Sequence, residues 1–239
     1  MGKSNVHNNA RVLPELHGLN KVLIKSGLLG LYIAALCLPI YIFVHDRGFS
    51  SFMHLASLQA VLKLMFPLLG LYAFTFVTWQ VLIATNLRWL RKLFPRVIYF
   101  HRFEGGFALL FAVLHPTFIL IGFGLVSYLH LRFVASNLRW WLIPSYTALT
   151  ILLGTVITAS LAWRGMNIPW WRKLHRLNYL VFALVWLHSW FIGTDTHTRL
   201  LRTVWVVYLL AVTISVIGKY QSLLPRTVKN FIWNSPHLP

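Results

Sequence analysis

The chain carries six apolar stretches, at about residues 24–44, 62–84, 97–124, 142–163, 177–192 and 204–218. A helix needs about 20 apolar residues to cross a bilayer. Apolar runs of this kind enter hydrocarbon as helices, because the backbone must then satisfy its own hydrogen bonds. The fifth and sixth stretches are short, but residues 174–193 suffice if His175 lies at the interface. The expected fold is an all-α integral membrane bundle of six helices. Of 239 residues, 58% are hydrophobic and only 11% charged, against about 25% charged in soluble domains. Cys37 is the single cysteine, which excludes an internal disulfide and any CxxC zinc or redox motif. Residues 1–23 read as a polar cytoplasmic segment without a cleavable signal, 24–218 as one membrane domain, and 219–239 as a short cytoplasmic tail.

The 22 Lys and Arg outnumber the 4 Asp and Glu, for a formal charge of +18. In a soluble protein that excess points to nucleic acid; between apolar runs it points to membrane topology. One side of the six-span layout holds 16 basic residues, from the N-terminus, the second and fourth connections and the tail. The other holds six: Arg47, Lys63, Arg132, Arg139, Arg199 and Arg202. The positive-inside bias places both termini in the cytoplasm, in a multi-pass protein of the cell (inner) membrane. Trp89, Trp140, Trp141, Trp163, Trp170, Trp171 and Trp190 fall at span ends, where an interfacial aromatic belt forms.

Four histidines lie within the spans, in two pairs: His101 and His115 in the third, His175 and His188 in the fifth. Ionisable residues inside a membrane are costly and mark candidate functional sites. Both spans start on the basic side and run parallel, so His101 lies level with His175. His115 and His188 lie roughly 20 Å further along, at 1.5 Å per residue. The expected arrangement is two stacked bis-histidine sites, His101/His175 and His115/His188. Imidazole suits Zn, Cu, Fe and Ni alike. Two histidines leave a tetrahedral zinc site incomplete, yet they fill both axial positions of a haem. One mismatch stands: on an ideal helix a 13-residue gap, as between His175 and His188, misses the same face by about 140°.

Secondary signals carry two readings each. Gly105 and Gly106 either clear space for a flat macrocycle or permit close helix packing. Arg102, Arg172 and Arg176 either pair with carboxylates such as propionates or anchor to lipid phosphate. Phe111, Phe182 and Trp186 lie between the two levels, as an electronic bridge or as core packing. Met65 is a conceivable axial ligand or a gap filler. His45, His54, His130 and His197, with Arg132, Arg139, Arg199 and Arg202, either form an outer acceptor site or are solvated loop residues. Glu104, one turn from His101, is expected to pair with an arginine.

At the four histidines the chain resembles the ferric reductase-like transmembrane superfamily, which includes NADPH oxidases, ferric reductases and the haem subunit of the periplasmic methionine sulfoxide reductase system. The shared pattern is six helices with histidine pairs 13 to 14 residues apart on the third and fifth. It covers approximately residues 24–218. The resemblance implies two b-type haems and transmembrane electron transfer, with His101, His115, His175 and His188 as axial ligands. Retention of His101 makes the chain more similar to the two-haem oxidase and reductase branch. That branch continues into a flavin and NADPH domain, whereas about 20 residues follow Gly218 here, fewer than a domain needs, and no GxGxxG lies in a strand-to-helix setting. The expected electron donor is therefore a separate cytoplasmic flavoprotein (FMN or FAD) or membrane quinol. The acceptor is a ferric chelate, dioxygen or a partner periplasmic reductase. Two alternatives stay open: a single-haem, quinol-oxidising membrane subunit of a methionine sulfoxide reductase-type system, and a metal-ion transporter using the histidines as transient ligands.

Overall fold

Apolar length and a few helix-ending residues account for most of the architecture. The computed structural model describes residues 6–48, 57–193 and 195–221, residues 6–19 by backbone alone. Its elements are α1 (Val6–Arg47), α2 (Leu58–Thr85), α3 (Leu87–Leu93), α4 (Val97–Phe123), α5 (Leu125–Leu129), α6 (Leu142–Trp163), α7 (Trp171–His175), α8 (Asn178–Ile192) and α9 (Arg199–Tyr220). Short 3-10 turns, Ser136–Trp141 and Asp195–His197, precede α6 and α9. Every regular element among the described residues is helical. The Ser57 hydroxyl caps α2 by accepting from the Ala60 N–H at 3.2 Å. α4 stops at Gly124, whose φ of 84° belongs to the left-handed region that glycine enters freely.

Among the described residues, five helices are long and apolar enough to cross a membrane: Asn20–Arg47, Leu58–Thr85, Val97–Phe123, Ser136–Trp163 and Arg199–Tyr220. α2 is the axis of the bundle. Half of its apolar window is buried, against 17–22% in the other four, and a helix apolar all round belongs at the centre. It packs against α1, α4, α8 and α9. The core joins Phe74, Val77 and Val81 of α2 to Ala108, Ala148, Leu152, Val181, Phe182, Leu201 and Trp205. Leu110, Ile143, Ile157, Val207 and Ile214 are exposed; on a soluble protein so much apolar surface would demand a partner, and in a membrane lipid supplies it.

The fifth stretch departs from expectation. A continuous helix over residues 174–193 does not form; α8 has 15 residues, about 22 Å at 1.5 Å per residue, short of a hydrocarbon layer of about 30 Å. The chain tightens between α7 and α8, where Leu177 N–H donates to Leu174 C=O at 2.8 Å and Tyr179 N–H to Arg176 C=O at 3.2 Å. These i to i+3 bonds are 3-10 geometry, with 3.0 residues per turn. Each such residue turns about 20° further than an α-helical one, and a few of them recover part of the 140° mismatch between His175 and His188. The tail, beyond residue 221, and His54 lie outside the described residues.

Candidate functional site

α4, which carries His101 and His115, faces α7 and α8, which carry His175 and His188, and the four histidines come together as two pairs. At the basic end, the His101 and His175 ring centres are 6.3 Å apart with planes at 86°. Two imidazoles bonded at about 2 Å on opposite sides of one metal ion would place their ring centres roughly 6 Å apart. The Nδ1 of His101 is buried and has no hydrogen-bond partner among the described residues. An unmet buried polar atom costs about 1–3 kcal/mol.

Polar side chains that the sequence reading missed orient this end. Gln80 of α2 donates from Nε2 to the His101 carbonyl at 2.8 Å and to Glu104 Oε2 at 2.7 Å. Glu104 is 1% exposed. The expected arginine partner is not found: among the described residues no cation stands within ion-pair distance of it, and a neutral amide takes that place. On the other helix, Asn178 lies 3.4 Å from His175 Nδ1 and 2.8 Å from Thr155 Oγ1, which also reaches the Leu152 carbonyl at 2.9 Å. One hydroxyl proton cannot serve both the Leu152 carbonyl and an Asn178 oxygen. Asn178 links His175 Nδ1 to Thr155 of α6.

At the opposite end, His115 and His188 line one apolar cavity of about 320 Å³, within the size range of cofactor pockets. Each spends Nδ1 on a main-chain carbonyl: His115 on Phe66 at 2.7 Å, His188 on Trp141 at 3.1 Å. A metal-ligating histidine is usually held this way, its tautomer fixed and Nε2 turned to the metal. Phe66 precedes Pro67 of α2, and Trp141 is clamped on Phe191 with ring centres 3.7 Å apart. Gly70 makes room for His115, since a Cβ there would lie 2.9 Å from Cε1.

A second feature of this end is the ion pair between Arg47, at the end of α1, and Asp195, at 2.8 Å. Asp195 lines the same cavity. Burial pushes its carboxyl above the usual range, and the Arg47 guanidinium pulls it part of the way back. Thr196 secures the turn, its hydroxyl lying 2.6 Å from the Gly193 carbonyl and 2.8 Å from the Ser189 carbonyl, between which its one proton is shared.

The remaining candidates resolve individually. Gly105 faces the Gln80 amide, 3.2 Å from a would-be Cβ, while Gly106 meets nothing within 4 Å. The Arg102 guanidinium lies 3.6 Å over Trp163 and that of Arg172 5.5 Å over Trp171; Arg176 is exposed in the α7–α8 turn. Phe182 is buried and stacks on Phe74, Phe111 stacks on Tyr72 and Phe76, and Trp186 donates to the Trp205 carbonyl at 3.0 Å. Those contacts are core packing. The outer residues engage locally: His130 bonds the Val126 carbonyl, Arg139 the Val134 carbonyl, and His197 faces Arg202, while Arg132 is exposed.

No group of three or more His, Cys, Asp or Glu that could hold a metal ion occurs among the described residues. Two imidazoles suit a metal that brings its other ligands with it, as the iron of a haem does. No family model, curated protein or solved structure matches the chain.

Proposed function

We propose that the chain is a transmembrane electron conduit holding two b-type haems, one between His101 and His175 and one between His115 and His188. The observation that carries this reading is the pairing: four histidines on α4 and on the broken α7–α8 segment, one pair 6.3 Å apart and the other sharing one cavity with both Nδ1 atoms spent on carbonyls. Haem bound there supplies reversible one-electron chemistry at iron. The chain's own residues do the rest. The four imidazoles would hold the haem; the Phe66 and Trp141 carbonyls and Asn178 orient their rings, and the apolar walls exclude water. Phe74, Phe182 and Trp205 fill the space between the two levels.

In this reading α7 and α8 together make the sixth crossing, both termini face the cytoplasm, and the protein belongs to a cell membrane. It is an oxidoreductase subunit of ferric reductase-like type, which takes electrons from a flavoprotein or quinol at the basic end and passes them to an extracytoplasmic acceptor. A reduced-minus-oxidised spectrum, with haem per chain counted as the pyridine haemochrome, tests it. Two b haems are expected, and His175→Ala should remove one. A count of one would favour the single-haem, quinol-oxidising reading; a folded, haem-supplied preparation that binds none would overturn both.

A further inference from the structure

Where the end of α2 and the start of α3 meet the last turns of α9, at the basic end of the bundle, a groove of about 420 Å³ opens outward. Its floor is polar and already satisfied: Thr85 Oγ1 and Ser215 Oγ are 2.9 Å apart, and the Asn86 amide donates to Ser215. Its rim carries two cations, Arg88 and Lys219. Lys219 is fixed, donating from Nζ to the Ala84 carbonyl at 3.1 Å and the Tyr179 hydroxyl at 2.9 Å, which leaves one of three N–H groups unspent. Among the described residues neither cation has a carboxylate within ion-pair distance. The wall rising from this rim is apolar and open: Ala211, Gly218 and Ile214, the last 68% exposed.

A paired basic rim at an interface, continuous with an apolar wall, matches a phosphate joined to an acyl chain. Basic pockets between spanning helices on the cytoplasmic side bind anionic head groups in this way. A free anion would use the rim and leave the wall uncovered, and a neutral lipid would leave two positive charges uncompensated. We propose that this groove seats one anionic phospholipid, its phosphate against Arg88 and Lys219 and one acyl chain along Ala211, Ile214 and Gly218. The site is independent of whether haem binds elsewhere.

Native mass spectrometry tests it on the whole chain released from nanodiscs of phosphatidylcholine mixed with phosphatidylglycerol. One phosphatidylglycerol should be retained per chain in preference to phosphatidylcholine. Arg88→Gln should lower that retention about fivefold, the effect of one basic charge at a membrane surface. Gly218→Leu should lower it while keeping both cations, by filling the wall; a Cβ there meets nothing within 4 Å. Lys92→Gln, at the same end but outside the groove, should change nothing. Equal retention of the two lipids, equal effects of Lys92→Gln and Arg88→Gln, or wild-type retention in both Arg88→Gln and Gly218→Leu would each overturn the proposal. Displacement by inorganic phosphate with Gly218→Leu unaffected would overturn it in favour of a free-anion site.

Discussion

Replacing Gly70 with alanine would place a Cβ 2.9 Å from His115 Cε1 and 3.0 Å from Nδ1. Ordinary contact begins at 3.4 Å, so the ring must retreat by about half an ångström. It cannot do so freely, because Nδ1 is bonded to the Phe66 carbonyl at 2.7 Å; the open direction is the cavity it lines. Overpacking costs about 1–3 kcal/mol, while alanine in a helix interior returns about 0.5–1 kcal/mol over glycine. Global stability therefore changes little. The site changes much more, since metal–ligand distances tolerate only about 0.2 Å. If the two proposed haems are bound, Gly70→Ala should lose or convert the His115/His188 signal to high spin and leave the His101/His175 signal intact, read by electron paramagnetic resonance and the reduced spectrum. A folded Gly70→Ala protein with both signals unchanged would refute the reasoning. Gly70→Ser, equally crowded at Cβ, should behave the same.

Asn178→Leu removes the group that joins His175 to Thr155; on the same reading the His101/His175 signal should broaden or vanish, the His115/His188 signal persist, and stability fall by about 1–2 kcal/mol, measured by unfolding in detergent. Arg47→Met leaves Asp195, its side chain 9% exposed, without its cation, at a cost of about 2–4 kcal/mol for a largely buried pair. That deficit should depend on pH with a definite sign. Below the ordinary carboxylate range Asp195 is protonated in both folded and unfolded states and the loss is smallest. As pH rises through its burial-raised value, folding must carry an uncompensated charge and the loss grows. Melting curves of the variant and the parent across that range should diverge toward neutral pH; a constant gap would count against the pair.

Sequence reading located the helices well wherever apolar length alone decides. The stretches at 97–124 and 142–163 coincide with α4 and α6 to within a residue. It failed between His175 and Asn178, where neither glycine nor proline marks the break; the tightening is seen only in backbone bonds. The histidines were legible because an ionisable group in hydrocarbon is conspicuous. Gln80, Asn178 and Gly70 were not, because an amide or a glycine in an apolar run has no fixed meaning until its neighbour across the helix interface is known. Glu104 shows the same limit: the sequence reveals a carboxyl that needs a partner, but an amide on α2 rather than an arginine provides it.

The break before α8 also divides the molecule mechanically. α8 is anchored in the core through Val181 and Phe182, whereas α7 has no buried residue. His188 thus sits on an element with side chains buried in the core and His175 on one without, the two joined by residues in 3-10 hydrogen bonding. A protein docking at the basic end would meet the element that carries His175 before the one that carries His188.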